Sequence, residues 1–255
     1  KDCKILEILF LLLACLAAFM AGILNSLAGG GSFITLPALL FIGIPPVLAN
    51  TTSAAVLLPG YLGSVFGFKK TYKTIQIRAL IPLLIITLIF SVGGAYLLIN
   101  SSDEFFLKFI PFLIMAATLL FIINPSHEEE TETSNSTLVK KFGLSLVSTY
   151  GGYFNGGLGI ALLSVLSLDR EFSLKQISAI KSSLSLMITL VSVSVFFLND
   201  FIVWSYVFYM MIFSILGGFL GARATEALPT VYVRRFIILV GVLLSLSLMY
   251  LNYFN

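Results

Sequence analysis

Long apolar runs alternate with short polar segments along the whole chain. Each long run is close to the roughly 20 residues that an α-helix needs to cross a membrane. The runs are continuous, whereas the strands of a membrane barrel would show alternating polarity over about 10 residues. The pattern therefore predicts an all-α polytopic membrane protein. The long runs cover residues 5–28, 47–67, 78–99, 105–123, 175–198, 203–222 and 233–252.

Glycine interrupts the apolar pattern at two places. A triplet at 29–31 precedes the short run 32–43, and five glycines at 151–159 interrupt the run 142–168. A broken helix persists at membrane depth only where it is buried in protein or lines a cavity. We therefore expect two helical hairpins, at 5–43 and at 142–168, whose tips carry the function.

The chain divides into two similar halves around a polar, acidic linker at 124–141. At an offset of 130 residues, Gly22 matches Gly152, Asn25 matches Asn155 and Gly29 matches Gly159. Each half then has one plan, a glycine-broken hairpin followed by three membrane spans. The first repeat is 1–123, with hairpin 5–43 and spans 47–67, 78–99 and 105–123; the second is 142–255, with hairpin 142–168 and spans 175–198, 203–222 and 233–252.

Lysine and arginine in the short loops indicate the orientation, since basic loops stay in the cytosol. The loops at 69–78 and 222–235 are basic, as is the end of the linker, whereas the loop at 100–104 is acidic. Spans 47–67 and 175–198 then cross in opposite directions, so the two repeats are inverted. An eight-span arrangement without inversion would place one basic loop outside. Inverted repeats with broken helices are typical of secondary transporters, whose site lies near the midplane where the breaks meet.

Composition and charge argue against several other classes of protein. The 255 residues are 58% hydrophobic and 11% charged, with a mean hydropathy of +1.04, unlike a soluble or a disordered chain. The net charge of +3, spread over short loops, argues against nucleic-acid binding. His127 lies in the linker, and no cluster of His, Asp or Cys lies within a span. We therefore expect no metal, no cofactor and no enzymatic activity.

The residues at the breaks favour an anion. Glycine frees backbone N–H groups, and a helix that starts after a break directs its positive end at the cavity. The asparagine amides can donate as well, and Lys181 is a charged residue well inside a predicted span. Alternatives are helix packing for the small residues and a side chain reaching the headgroups for Lys181. The candidate substrate-binding residues are Asn25, Gly29, Gly30, Gly31, Thr51, Thr52, Ser53, Asn155, Gly157, Gly159, Lys181, Ser182 and Ser183.

Several of these segments resemble one known family. The stretch GILNSLAGGGSFITLP at 22–37, followed by GIPP at 43–46, is similar to the first motif of the TauE/SafE sulfite and organosulfonate exporters, also called toluene sulfonate uptake permeases. GYFNGGLG at 152–159, AIKS at 179–182 and the glycines near 217–221 resemble its second half. The resemblance covers nearly the whole chain. It implies transport of small sulfur-containing anions.

Together these features favour a secondary transporter of sulfite or an organosulfonate, by alternating access of two inverted repeats around a midplane anion site. We expect an exporter in the plasma (inner) membrane, with the lipid bilayer and the small anion as its partners. An anion channel built from the same residues, or a transporter of another small organic anion, is the alternative. A purely structural or sensor role is disfavoured, because the breaks are costly without a cavity.

Overall fold

The computed structural model describes residues 2–27, 29–123, 137–167, 172–224 and 230–253. Most of the acidic linker, with His127, lies outside these residues. The described residues form α-helices and no strand, which confirms the predicted all-α class. The helices are α1 (Asp2–Leu27), α2 (Ser32–Phe41), α3 (Pro46–Gly67), α4 (Lys69–Tyr72), α5 (Ile77–Ile99), α6 (Asp103–Ile123), α7 (Thr137–Tyr153), α8 (Leu158–Leu166), α9 (Leu174–Leu198), α10 (Trp204–Ala224) and α11 (Thr230–Tyr253).

The helix bounds differ from the sequence-based ones at two loops. Helix α7 begins at Thr137, so Lys140 and Lys141 belong to its first two turns rather than to the linker. The apolar residues around these lysines continue the helical pattern towards the membrane. The basic loop at 69–78 contains the short helix α4, which the sequence did not predict.

Four of the described helices are both long and apolar enough to cross a membrane: Ile8–Ser26 of α1, Leu80–Ile99 of α5, Gln176–Leu198 of α9 and Trp204–Gly221 of α10. Helix α3 has 22 residues, but the polar stretch at 50–53 lowers its hydropathy. Large apolar side chains are exposed along many of the helices, as expected for surfaces that face lipid rather than water. The chain is therefore a multi-pass helical membrane protein.

Both glycine-rich segments coincide with the end of one helix and the start of the next. Helix α1 ends at Leu27, and Gly29, with φ +81°, donates its N–H to the carbonyls of Leu24 and Asn25. Gly157, with φ +74°, directly precedes α8. These left-handed conformations favour glycine, because a Cβ is disfavoured there. The chain thus reverses direction at each tip.

The long helix of each hairpin packs on a helix from the other half of the chain. Helix α1 lies along α10, and α7 lies along α5. Glycine brings the backbones together at both crossings: a Cβ on Gly217 would lie 2.0 Å from the Phe19 carbonyl oxygen, and one on Gly94 2.0 Å from that of Thr149. Small residues are a common means of close packing between membrane helices. The two crossings are therefore alike in partners and in chemistry.

Helices α3 and α9 pack on each other and run in opposite directions. Helix α3 begins beside the loop that follows α9, where Thr52 Oγ1 accepts a hydrogen bond from the Val203 N–H at 3.1 Å. Helix α9 begins beside the loop that follows α4, where Gln176 Nε2 donates to the Thr74 carbonyl at 3.1 Å. We call these opposite ends of the helix pair the Val203 end and the Thr74 end.

Candidate functional site

The tips of the two hairpins touch inside the helix bundle. A Cβ built on Gly29 would lie 2.6 Å from the Gly159 Cα and 3.0 Å from its backbone nitrogen. These distances leave no room for a side chain, so the contact is backbone on backbone. Gly29 and Gly159 are also the residues that the 130-residue offset matches.

Two short helices begin at this contact. Helix α2 starts at Ser32 and α8 at Leu158, each directly after its tip. The first amides of a helix have no intrahelical acceptor, and the helix dipole makes this end positive. The tips are too crowded for side chains, since a Cβ on Gly31 would lie 2.7 Å from the Ala21 carbonyl oxygen. Some amides of the first turns already donate to carbonyls of the tips, among them Phe33 to Gly30 and Ile160 to Gly157. The arrangement therefore places mainly the partial positive charge of two helix dipoles inside the bundle.

Tyr61 of α3 lies between the asparagines of both hairpins. Its hydroxyl donates to Asn155 Oδ1 at 3.1 Å, and Asn155 Nδ2 donates in turn to Thr189 Oγ1 at 3.1 Å. The Tyr61 hydroxyl is also within reach of the Asn25 side chain. All four side chains are buried. The network thus holds groups from α1, α3, α9 and the second tip in one place.

Several buried polar atoms close to this network have no partner among the described residues. They include Asn25 Oδ1, Ser32 Oγ and Ser185 Oγ. A buried polar group that lacks a hydrogen bond costs about 1–3 kcal/mol, so such groups are uncommon unless they serve a ligand or water. Asn25 Oδ1 and Ser32 Oγ flank the first tip, which indicates a polar site there.

Lys181 lies in α9 and is only 7% exposed. No aspartate or glutamate occurs in α9 or in α3, α5, α7 and α8, which pack on it. The described residues contain one ion pair, Lys108 with Glu104 at 2.7 Å, and it lies on an exposed surface. The Lys181 side chain is largely enclosed by the bundle. A buried ammonium is costly unless a negative charge pairs with it.

Two of the three hydroxyls predicted on α3 lie away from the tips. Thr51 Oγ1 donates to the Phe201 carbonyl, and Thr52 binds the same loop at the Val203 end. Ser53 shares a hydrogen bond of 2.5 Å with Thr35 of α2. The two threonines therefore hold the loop at 199–203 against α3, and only Ser53 faces a hairpin.

The hydroxyls predicted on α9 divide between two surroundings. Ser182 Oγ lies 3.0 Å from Ser64 Oγ, at the interface between α9 and α3. Ser183 Oγ lies 2.6 Å from Tyr72 Oη, at the Thr74 end. The structure thus groups Asn25, Asn155 and the tip glycines. Lys181 and Ser182 lie about two turns closer to the start of α9 than Thr189, and Ser183 faces Tyr72 instead.

Two residues of the site, Tyr61 and Thr189, were not predicted from the sequence. Tyr61 gives no signal there, because an aromatic residue in an apolar span is ordinary. Ser185 belongs to the hydroxyl-rich stretch after Lys181, which the sequence favours for oxyanion oxygens. Thr189 follows Lys181 and Ser185 at intervals of four residues, which places all three on one face of a helix, and that spacing could have identified it.

Comparison with known proteins gives a consistent result. The family model described as "Sulfite exporter TauE/SafE" matches residues 14–248. A Haemophilus influenzae protein named "Probable membrane transporter protein" is 30% identical over 236 residues, which cover 91% of each chain. The "Probable membrane transporter protein ORF9" of a Sinorhizobium species is 26% identical over 95% of this chain and 94% of its own.

The "Probable membrane transporter protein YfcA" of Escherichia coli is 25% identical over 91% of this chain and 87% of its own. No solved structure matches. These relatives indicate membrane transport rather than enzymatic catalysis, and the family match confirms the resemblance carried by the glycine-rich motifs. The chain therefore belongs to the sulfite exporter TauE/SafE family.

Proposed function

We propose that this chain is a secondary transporter of small sulfur-containing anions, sulfite or an organosulfonate, which it exports across the plasma membrane. The observation that carries the proposal is the meeting of the two hairpin tips at Gly29 and Gly159, where the N-termini of α2 and α8 converge. Paired helix N-termini favour negative charge. The family description supports a sulfur-containing substrate, and the two helix N-termini support an anion.

The groups around the tips suit the oxygens of a compact oxyanion. Backbone N–H groups of the tip glycines and the amides of Asn25 and Asn155 can donate to separate oxygens. Tyr61 holds the Asn155 amide in a fixed orientation. Lys181 supplies the positive charge that balances the anion, and it is the one charged side chain among the buried residues that the structure describes.

Alternating access of two inverted repeats, 1–123 and 142–255, would move the anion. Three features of the packing support this mechanism. The crossing of α1 on α10 repeats as α7 on α5, the contact of α2 with α11 repeats as α8 with α6, and α3 and α9 run in opposite directions. Matched residues should meet at the axis relating such repeats, and Gly29 contacts Gly159. Rocking of the halves about this contact would open the site to each side in turn.

The Thr74 end is proposed to face the cytosol. It carries Lys69, Lys70 and Lys73, whereas the acidic residues Asp103 and Glu104 begin α6 near the other end. Basic loops remain in the cytosol. Sulfite or sulfonate would therefore enter between α3 and α9 from the Thr74 end and leave at the Val203 end.

Ligand-dependent stability of the purified protein tests the anion site. Sulfite, sulfate, thiosulfate, taurine, sulfoacetate, phosphate and acetate are added separately to wild type and to Lys181→Ala. A ligand that binds only the folded state raises the unfolding temperature as its concentration passes Kd. Selective stabilisation by a sulfur oxyanion, weakened in Lys181→Ala, supports the proposal. Stabilisation by acetate or phosphate alone would indicate another substrate class, and no response to any anion would contradict an anion site.

Transport in liposomes separates a carrier from a channel. If the protein is a carrier, liposomes preloaded with unlabelled sulfite accumulate labelled sulfite transiently against its gradient, because the site is exposed to one side at a time. A channel gives no such counterflow. Absence of counterflow, with sulfite still permeating, would replace alternating access by a pore.

A further inference from the structure

One face of α9 is polar over most of its length. Lys181, Ser185 and Thr189 recur at intervals of four residues, and Ser182 and Ser192 lie on the same stripe. The stripe is buried. A different face of α9, formed by Ile177, Ile180, Leu184 and Ile188, packs in an apolar cluster with Leu158 and Leu162 of α8. The polar stripe therefore faces the interior rather than lipid.

Buried hydroxyls on this stripe have partners, with one exception. Ser182 and Ser192 donate to the carbonyls four residues earlier, at 2.9 and 2.7 Å. Thr189 Oγ1 accepts from Asn155. Ser185 is 1% exposed, yet its hydroxyl has no partner among the described residues. Serine in a helix ordinarily bonds back to the preceding turn, so Ser185 keeps its hydroxyl free where its neighbours do not.

Ser185 lies midway between the two parts of the site. It is one turn from Lys181 and one turn from Thr189, about 6 Å of helix rise in each direction. Lys181 and Thr189 are about 12 Å apart along the axis, so their side chains do not meet directly. An oxyanion beside Ser185 would lie in this gap, with one oxygen towards the ammonium and another towards the Asn155 and Thr189 pair.

We propose that Ser185 binds the transported anion, and that the anion lies between Lys181 and the network of Tyr61, Asn155 and Thr189. This proposal rests on the proposed anion transport and refines the place of the site. The anion then lies along α9, on the Thr74 side of Thr189. Ser185 donates its hydroxyl to an anion oxygen.

The test compares two serines of the same stripe. Ser185→Ala removes an unpartnered hydroxyl, and Ser192→Ala removes one that bonds to its own helix. Binding of labelled sulfite and of methanesulfonate to the purified protein gives Kd, and thermal unfolding without ligand gives the intrinsic stability. We expect Ser185→Ala to weaken binding by roughly ten-fold or more, since hydrogen bonds to charged groups have such effects.

The same variant should unfold at a temperature equal to or above that of the wild type, because removal of an unpaired buried hydroxyl relieves a desolvation cost. Ser192→Ala should do the reverse, with unchanged Kd and a lower unfolding temperature. If Ser185→Ala binds both anions as tightly as wild type does, the role of Ser185 is refuted while anion transport stands. If wild type binds neither anion, the proposed function fails as well.

A double-mutant comparison with Lys181→Met tests whether both residues contact one anion. Residues that share a ligand show non-additive effects on affinity. We expect the loss in the double variant to be clearly smaller than the product of the two single losses. Full additivity would place Ser185 and Lys181 at separate anions and overturn the shared site.

Discussion

Replacement of Gly29 by alanine tests the contact between the hairpin tips, and the chain offers a matched control. Gly29 and Gly43 both have positive φ, +81° and +91°. A Cβ on Gly43 meets nothing within 4 Å, whereas one on Gly29 would lie 2.6 Å from the Gly159 Cα. The two variants share the backbone strain and differ in the steric contact.

The magnitude follows from these geometries. An alanine forced into the left-handed region costs about 1–2 kcal/mol at either position. Non-bonded carbon atoms prefer separations of about 3.5–4.0 Å, so Gly29→Ala must also push the tips apart by about 1 Å. Overpacking of this kind costs about 1–3 kcal/mol more. We therefore expect the free energy of unfolding of Gly29→Ala to be lower than that of Gly43→Ala by about 1–3 kcal/mol.

Unfolding in mixed detergent micelles gives the free energy of unfolding of each variant, and thermal unfolding with sulfite gives its response to ligand. Gly43→Ala should retain the response, and Gly29→Ala should lose it because the two helix N-termini separate. Equal destabilisation with equal ligand response in both variants would show that the tips are not in contact, and the reasoning would be refuted.

Three further substitutions address other contacts. Tyr61→Phe leaves a buried carbonyl of Asn155 without its donor, so we expect a loss of about 1–3 kcal/mol in unfolding free energy and weaker sulfite binding in the same assays. Gly94→Ala places a Cβ against the backbone of α7 and should lower the yield of folded protein in gel filtration, whereas Gly93→Ala, with open space around it, should not. Asp103→Ala removes the carboxylate that accepts from the first turn of α3 at 2.8 Å and should cost about 1 kcal/mol in thermal unfolding.

The helix breaks were predictable because they depend on a property of single residues. Glycine is favoured where φ is positive and required where two backbones touch, and Gly29 meets both conditions. The spans were predictable from apolar length in the same way. Short helix α4 was not, since its residues are polar and its position depends on Tyr72, which donates to the Ala179 carbonyl at 2.6 Å.

The residues that correspond between the two halves show what a repeat in the sequence does not reveal. Thr51 and Lys181 correspond by the 130-residue offset, and each lies near the start of its helix. Because α3 and α9 run in opposite directions, these starts are at opposite ends. Corresponding residues in such helices meet only near the middle. Tyr61 and Thr189 become part of one hydrogen-bond network only through the packing of α3 on α9, which no local pattern encodes.

The crossing of α1 on α10 has a consequence for biogenesis. Ser26 Oγ donates to the Gly218 carbonyl at 2.8 Å across 192 residues. Helix α1 leaves the ribosome before α10, and eight helices, α2 to α9, are made between them. The face of α1 that carries Gly22 and Ser26 therefore has lipid or the insertion machinery in place of its final neighbour until α10 has been made. Insertion of α1 and its packing on α10 are thus separate events in the assembly of this chain.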